Sequence, residues 1–319
     1  MPTPDVIGGW LLAMPHRLAA STAFWVVVVF AACATLVQLR GRVRLKLRRQ
    51  LFDHSTFLAP YNIAAYAFSA VESTPYIDVA RFPELKVLAD NWQVIRDEAL
   101  KLEDEGMVRA ALKGDDAGFR TFFKRGWRRF YVKWYDEALP SARALCPRTV
   151  ELVAAIPTMN AAMFTLLPAG ARLGLHRDPL AASLRYHLGL ATPNSDDCWI
   201  SVDGQRHAWR DGQGVVFDET YVHEASNATD RDRLILLCDI ERPFNNPVMR
   251  AINRTLGHAL VRAGASPNVE GERTGVLSHV AKGVHQVQAF GQRIKAWNYP
   301  VYFVLKNGLI LLLLWWVFF

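Results

Sequence analysis

Four residues carry most of the chemical information in this 319-residue chain: His176, Asp178, His223 and Arg233. Two imidazoles and one carboxylate make the donor set that holds ferrous iron on one face and leaves the opposite coordination positions open. His176 and Asp178 sit two residues apart in His176-Arg177-Asp178. On an extended chain they therefore project to the same face, and one ion can bind both. The preceding residues 164–175 run apolar up to Pro168-Ala169-Gly170 and then resume, which reads as a hairpin entering the site. His223 follows the apolar strand Gly214-Val215-Val216-Phe217 and its acidic end at Asp218, and Arg233 opens a further strand ending near Asp239.

A second extended run, Ser183-Leu184-Arg185-Tyr186-His187-Leu188-Gly189-Leu190, puts Arg185 and His187 on one face and Leu184, Tyr186 and Leu188 on the other. An arginine buried beside a metal needs an anionic partner, because an unpaired buried charge is expensive and the guanidinium fork fits a carboxylate in bidentate fashion. A dicarboxylate co-substrate would supply one.

Six ordered phrases carry a family resemblance: His176-Arg177-Asp178-Pro179, residues 184–190, Trp209-Arg210-Asp211-Gly212, Phe217-Asp218-Glu219-Thr220, His223-Glu224-Ala225 and residues 238–243. In them the region 161–243 resembles the aspartyl/asparaginyl β-hydroxylases, iron(II)/2-oxoglutarate dioxygenases, and within these the bacterial lipid A 2-hydroxylases. The resemblance implies a mainly β protein with flanking helices, built on a double-stranded β-helix of jelly-roll or cupin type. It implies Fe(II) held by His176, Asp178 and His223, with no catalytic side chain beyond that centre. It further implies that Arg233, helped by Thr165, grips the distal carboxylate of 2-oxoglutarate, that Arg185 and His187 sit near the chelating carboxylate, and that O2 is the second co-substrate. Asp178 departs from the peptide-hydroxylating branch, which resembles a two-histidine site, and favours the lipid branch. The implied target is C-2 of a fatty acyl chain on lipid A. Another acyl lipid such as an ornithine lipid, a peptidyl Asp/Asn side chain, or a non-catalytic lipid-binding scaffold are the alternatives.

The elements around these residues place them at a membrane. After a short segment, 1–21, residues 22–39 contain no charge and as a helix would span about 27 Å, close to the hydrocarbon core of a bilayer. Residues 301–319 form a second apolar run, with Lys306 near its start able to snorkel to the headgroups. Arg40, Arg42, Arg44, Lys46, Arg48 and Arg49 crowd the basic segment 40–50, against Arg17 before the first span. By the positive-inside rule the domain 51–300 faces the cytoplasm, and the expected location is the bacterial inner membrane. Cys33, Cys146, Cys198 and Cys238 show no metal-type or paired spacing, which suits a reducing compartment.

Apolar residues three or four apart from Leu85 to Leu102 predict a helix, as do residues 248–262. Residues 118–135, aromatic and basic together, read as extended. With a net charge of +7 they invite a nucleic-acid reading, but no recognised nucleic-acid motif is present and six of the cations are explained by topology. No nucleic acid is expected as a partner. Arg120, Lys124, Arg125, Arg128, Arg129 and Lys133 read either as contacts to anionic headgroups or as a solvated strand face. Residues 264–275, rich in Gly, Ser, Pro and Asn, read as a surface loop. The sequence sets no oligomeric state.

Overall fold

Alternating residues with two different kinds of surroundings require a sheet that is covered on both sides, and this is what the chain builds. The computed structural model describes residues 22–110, 116, 119–135, 137–257, 259, 264–272, 275 and 290–318. The segment 1–21, Arg262 and Phe319 lie outside them. Among the described residues the strands are β1 (Tyr76–Ile77), β2 (Arg128–Trp134), β3 (Glu137–Ala138), β4 (Met159–Leu167), β5 (Arg172–His176), β6 (Ser183–Ala191), β7 (Cys198–Val202), β8 (Gln205–Ala208), β9 (Gly214–Phe217), β10 (His223–Asn227) and β11 (Arg233–Glu241). They form a seven-stranded sheet in the order β1-β9-β6-β11-β4-β2-β3 and a four-stranded sheet in the order β5-β10-β7-β8. All named pairings are antiparallel. From β4 to β11 the chain crosses repeatedly between the two sheets, which is the jelly-roll, double-stranded β-helix plan that the resemblance implies.

The two faces of the large sheet carry different cores. Phe164, Leu184, Tyr186, Leu188, Leu234, Leu236 and Cys238 pack outward against Leu85, Leu88, Ile95, Ala99 and Leu102 of the flanking helices. Met163, Phe217, Ile235 and Leu237 pack inward against Leu173, Cys198, Ile200 and Ala225 of the small sheet. The helix expected between Leu85 and Leu102 is interrupted at Asn91, giving Lys86–Asp90 and Trp92–Asp104.

Four expectations need correction. The turn at Pro168-Ala169-Gly170 joins strands of different sheets, so β4 and β5 are not a hairpin. Its polar groups bond the β10–β11 connection instead: Gly170 N–H donates to Thr229 O, Ala169 N–H to Asp232 Oδ1, and Asn227 Nδ2 to Leu167 O. Within 118–135 only β2 is a strand, because Arg120–Phe123 forms a helical turn whose rings cluster on Trp127; Gly118 lies outside the described residues. In 264–275, Ser266 and Asn268 are buried, since Asn268 accepts from Tyr131 N–H and donates to Tyr131 O in place of a neighbouring strand. Arg129 is buried too, with Asp116 at 3.1 Å and Ser266 Oγ at 2.7 Å, so it touches no lipid and no solvent. Breaking such a buried pair costs about 3–5 kcal/mol. Arg129→Glu is therefore expected to unfold the protein or lower its denaturation midpoint sharply, whereas Arg128→Glu, at an exposed position, should leave it within about 0.5 kcal/mol; equal midpoints for the two variants in denaturant titrations would refute this assignment.

One helix among the described residues, Thr22–Leu39, is long and apolar enough to cross a membrane. Its last turn is built into the domain. Val37 is buried and its carbonyl accepts from Arg177 Nη1 at 2.7 Å. Gly41 then turns the chain at φ 84°, where any Cβ would lie 2.6 Å from Asp203 Oδ1, and that oxygen accepts from the N–H groups of Arg42 and Val43. At the other end, Tyr299–Phe318 is a helix of 20 residues lying against the first.

Candidate active site

Cross-strand register brings the two histidines together. β10 pairs with β5 so that His223 faces His176, with ring centroids 4.2 Å apart. Asp178 stands just past the end of β5, held there by its N–H, which donates to Glu219 O at 2.9 Å. Ligand atoms of His176, Asp178 and His223 all lie within 4.8 Å of one another. His176 Nδ1 is 2.7 Å from Gly174 O and His223 Nδ1 is 2.9 Å from Tyr221 O. A carbonyl only accepts, so both rings carry their proton on Nδ1 and keep the Nε2 lone pair for a metal. Burial, then the nearby His176, lowers the proton affinity of His223 to a pKa of about 3 against the pull of Asp178. His176 is lowered as well, by burial first and by Arg49 and Arg185, against Asp178. Both rings are neutral at physiological pH, as ligands must be.

Arg185 organises the carboxylates. Its guanidinium binds Asp178, Glu219 and Asp239 together, Asp239 being its cross-strand partner in β11. Burial alone would raise Asp178, but Arg185, His223 and His176 hold it below the usual carboxylate range. Glu219 goes the other way: burial and the charges of Asp239 and Asp178 outweigh Arg185 and push it well up. Ser183 Oγ donates to Glu219 at 2.9 Å. The acidic ligand is thus ionised and locked in place by a buried network.

Arg233 has the opposite character. It is buried to 2% exposure, its guanidinium lies 4.4 Å over the Trp209 ring, and it makes no ion pair among the described residues. Its Nε, the Oγ1 of Thr165 and both ring nitrogens of His187 are buried without a hydrogen-bond partner. Burial lowers the Arg233 pKa to about 10, with Cys198 opposing, which still leaves it a cation. Buried polar groups are rarely left unsatisfied, and a buried charge almost never. This end of the site is built for an anion.

Thr165, His176, Asp178, Arg185, His187, His223 and Arg233, all singled out from the sequence, line one cavity. Sequence reading missed its apolar part. Phe122 lies 4.7 Å from the His176 ring, centroid to centroid, and Phe217 lies 4.9 Å from His187. Trp209 stacks on His187 at 6.0 Å. It was visible only as a member of a phrase. The reason for that phrase is a close approach: a Cβ on Gly189 would lie 2.0 Å from Arg210 O, and Gly212 N–H donates to Gly189 O at 2.9 Å. That Glu219 and Asp239 meet Arg185 was not expected, because no local spacing relates them to it. Asp218, at the acidic end of the strand before His223, receives Arg40 at 2.7 Å and Arg242 at 2.9 Å. Burial would raise its pKa, yet Arg242 and Arg40 hold it below the carboxylate range.

Residues 89–243 match the sequence model of a family described as aspartyl/asparaginyl beta-hydroxylase. Ornithine lipid ester-linked acyl 2-hydroxylase of Rhizobium tropici is 31% identical over 193 residues, which are 59% of this chain and 68% of that protein. The human aspartyl/asparaginyl beta-hydroxylase is 26% identical over 171 residues, 52% of this chain but 22% of its own length. Among solved structures, a Pseudomonas putida prolyl-4-hydroxylase is similar at a TM-score of 0.34 and 21% identity, covering 49% of this chain and 88% of its own.

Proposed function

Because the chain belongs to the aspartyl/asparaginyl beta-hydroxylase family, we propose that it is an iron(II)- and 2-oxoglutarate-dependent hydroxylase acting on C-2 of a fatty acyl chain of a membrane lipid. The observation that carries this reading is the pairing of a His-Asp-His donor set with a buried cation that has no protein anion, in one cavity. His176, Asp178 and His223 would hold Fe(II). Arg233 and Thr165 would take the distal carboxylate of 2-oxoglutarate, with His187 and Arg185 bordering its chelating end. Bound there, the metal and co-substrate supply the oxidant for an unactivated C–H bond, consuming O2 and yielding succinate and CO2.

The protein's own work is positioning. Gly174 and Tyr221 carbonyls fix the imidazole tautomers, Arg185 fixes Asp178, and Trp209, Phe217 and Leu237 exclude water around the reacting groups. Thr22–Leu39 serves as a membrane anchor, and Tyr299–Phe318 as a second. The exposed cations from Arg42 to Arg49 support a domain on the cytoplasmic side of a bacterial inner membrane. Anchoring supports a lipid substrate, since it raises the effective concentration of membrane lipids at the cavity.

Lipid A is the acyl lipid implied by the sequence phrases. The likeness to the Rhizobium tropici enzyme favours a second reading, an ester-linked acyl chain of an ornithine lipid. Mass spectrometry of lipids from cells with and without the protein separates them: one added oxygen confined to one class assigns the substrate, and no added oxygen in any acyl lipid refutes the reading. Anaerobic addition of iron(II) and 2-oxoglutarate should give a weak visible charge-transfer band. Asp178→Ala is expected to weaken iron(II) binding by more than about tenfold, the lower bound for loss of a mere ligand-supporting residue. Equal affinity in wild type and variant would overturn the three-ligand assignment.

A further inference from the structure

Between the end of the first apolar helix and the next long helix, the chain presents a surface that neither the fold nor the cavity uses. The short helix Leu47–Gln50 and the turn His54–Phe57 have two unlike sides. Leu45, Gln50, Ser55 and Ala59 are buried. Leu47, Leu51, Phe52 and Phe57 are 69, 57, 73 and 63% exposed. Large apolar side chains left exposed this close together in the chain mark an interaction site. The stretch is also fixed in shape: Asp53 accepts from Ser55 N–H at 3.0 Å, and Gln50 Nε2 donates to Thr56 Oγ1 at 2.8 Å.

We propose that residues 47–57 lie in the surface of an anionic bilayer, with Leu47, Leu51, Phe52 and Phe57 seated among the acyl chains, and so hold the cavity mouth against the membrane. Three observations select this occupant. Leu47 follows closely on Leu39, where the membrane-crossing helix ends, and His54–Phe57 packs on that helix, so the stretch cannot be far from the bilayer. Arg42, Arg44, Lys46, Arg48 and Arg49 are exposed and make no ion pair among the described residues, which complements anionic headgroups. Arg177, next to His176 in the chain, donates to Val37 O in the last turn of the Thr22–Leu39 helix, so the stretch begins beside the strand end that carries the site. Leu175, beside His176 in β5, is a further exposed apolar side chain, at 39%.

An acyl chain can then pass from the bilayer into the cavity without crossing water. This inference rests on the membrane reading of Thr22–Leu39 and on a lipid substrate, but its first test needs no turnover. The full chain carrying Phe52→Trp is placed in phosphatidylethanolamine/phosphatidylglycerol vesicles, and its emission is read as the difference from wild type, which has ten tryptophans. Lipids brominated near the acyl carbonyl should quench the added emission, and iodide in the aqueous phase should not, because interfacial helices seat their apolar face about 5–10 Å into the headgroup and acyl boundary. Quenching by iodide alone, or by neither, as when a second protein copy covers the site, overturns the proposal. In the second test, Leu51→Asp with Phe52→Asp should raise KM for vesicle-embedded lipid by about tenfold or more, with the half-saturating 2-oxoglutarate concentration unchanged. An unchanged lipid KM overturns it as well. If no lipid is hydroxylated while bromine quenching is strong, the substrate reading has failed and the surface assignment stands.

Discussion

Arg233→Met is expected to raise the 2-oxoglutarate concentration needed for half-maximal turnover by about a hundredfold while leaving iron(II) affinity within a few-fold of wild type. Truncating one partner of a buried charge pair costs about 2–5 kcal/mol, and about 1.4 kcal/mol is a factor of ten. The same variant should be more stable than wild type without co-substrate. Arg233 is buried over Trp209 with no anion beside it, and burial has lowered its pKa to about 10. A base whose folded pKa lies below its unfolded value destabilises the fold while it is charged, so an apolar replacement of similar length relieves that cost. Thermal melts should therefore show a higher midpoint for the variant alone, and loss of the upward shift that 2-oxoglutarate gives the wild type. A variant that melts lower in the free state, or that keeps the shift, would mean that Arg233 has a structural partner and does not receive the co-substrate.

Arg185→Met is expected to act on stability first and on metal second. Asp178, Glu219 and Asp239 all converge on the one guanidinium, and none of them has another basic partner among the described ion pairs. Removing it leaves buried carboxylates uncompensated, at about 3–5 kcal/mol. The sign of the pH dependence follows. Without Arg185 the folded pKa values of Glu219 and Asp239, already raised by burial, rise further, and that of Asp178 loses the pull that holds it low; buried acids with raised pKa values destabilise the fold only while ionised. The gap between wild type and variant should be widest near neutral pH and narrow as the pH falls. Adding Asp239→Asn should recover stability but not iron(II) affinity, because Asp178 still lacks the group that orients it. Denaturant titrations at several pH values, with iron binding measured alongside, check this. A gap that does not change with pH would sink the account.

Much of this was legible in the residues themselves. A period of two is enough to say that Arg185 and His187 share a face, and the inner and outer cores of the large sheet bear that out. Periodicity does not say which sheet a strand joins, so Pro168-Ala169-Gly170 looked like a hairpin turn and is a corner between sheets. Charge was a poor guide to depth. Arg129 resembles its exposed neighbour Arg128 in type, but Asp116 and Ser266, distant in sequence, enclose it. Composition misled at Asn268 for a similar reason: a side-chain amide can complete a strand edge, which makes a polar loop residue part of the core. Arg40 was assigned to membrane topology alone, yet it also reaches Asp218.

The bond from Arg177 to Val37 O changes what the N-terminal helix is. Arg177 sits between two of the cavity's donor residues, and its partner is a main-chain oxygen in the final turn of the apolar helix. Helix and β-helix are therefore joined beside the site by more than the chain that links them. Cutting the chain after Leu39 would strip a buried guanidinium of its acceptor next to His176 and Asp178, so a soluble fragment made that way begins with a damaged site. Conversely, any tilt of the apolar helix is felt directly by the strand end that carries those two residues.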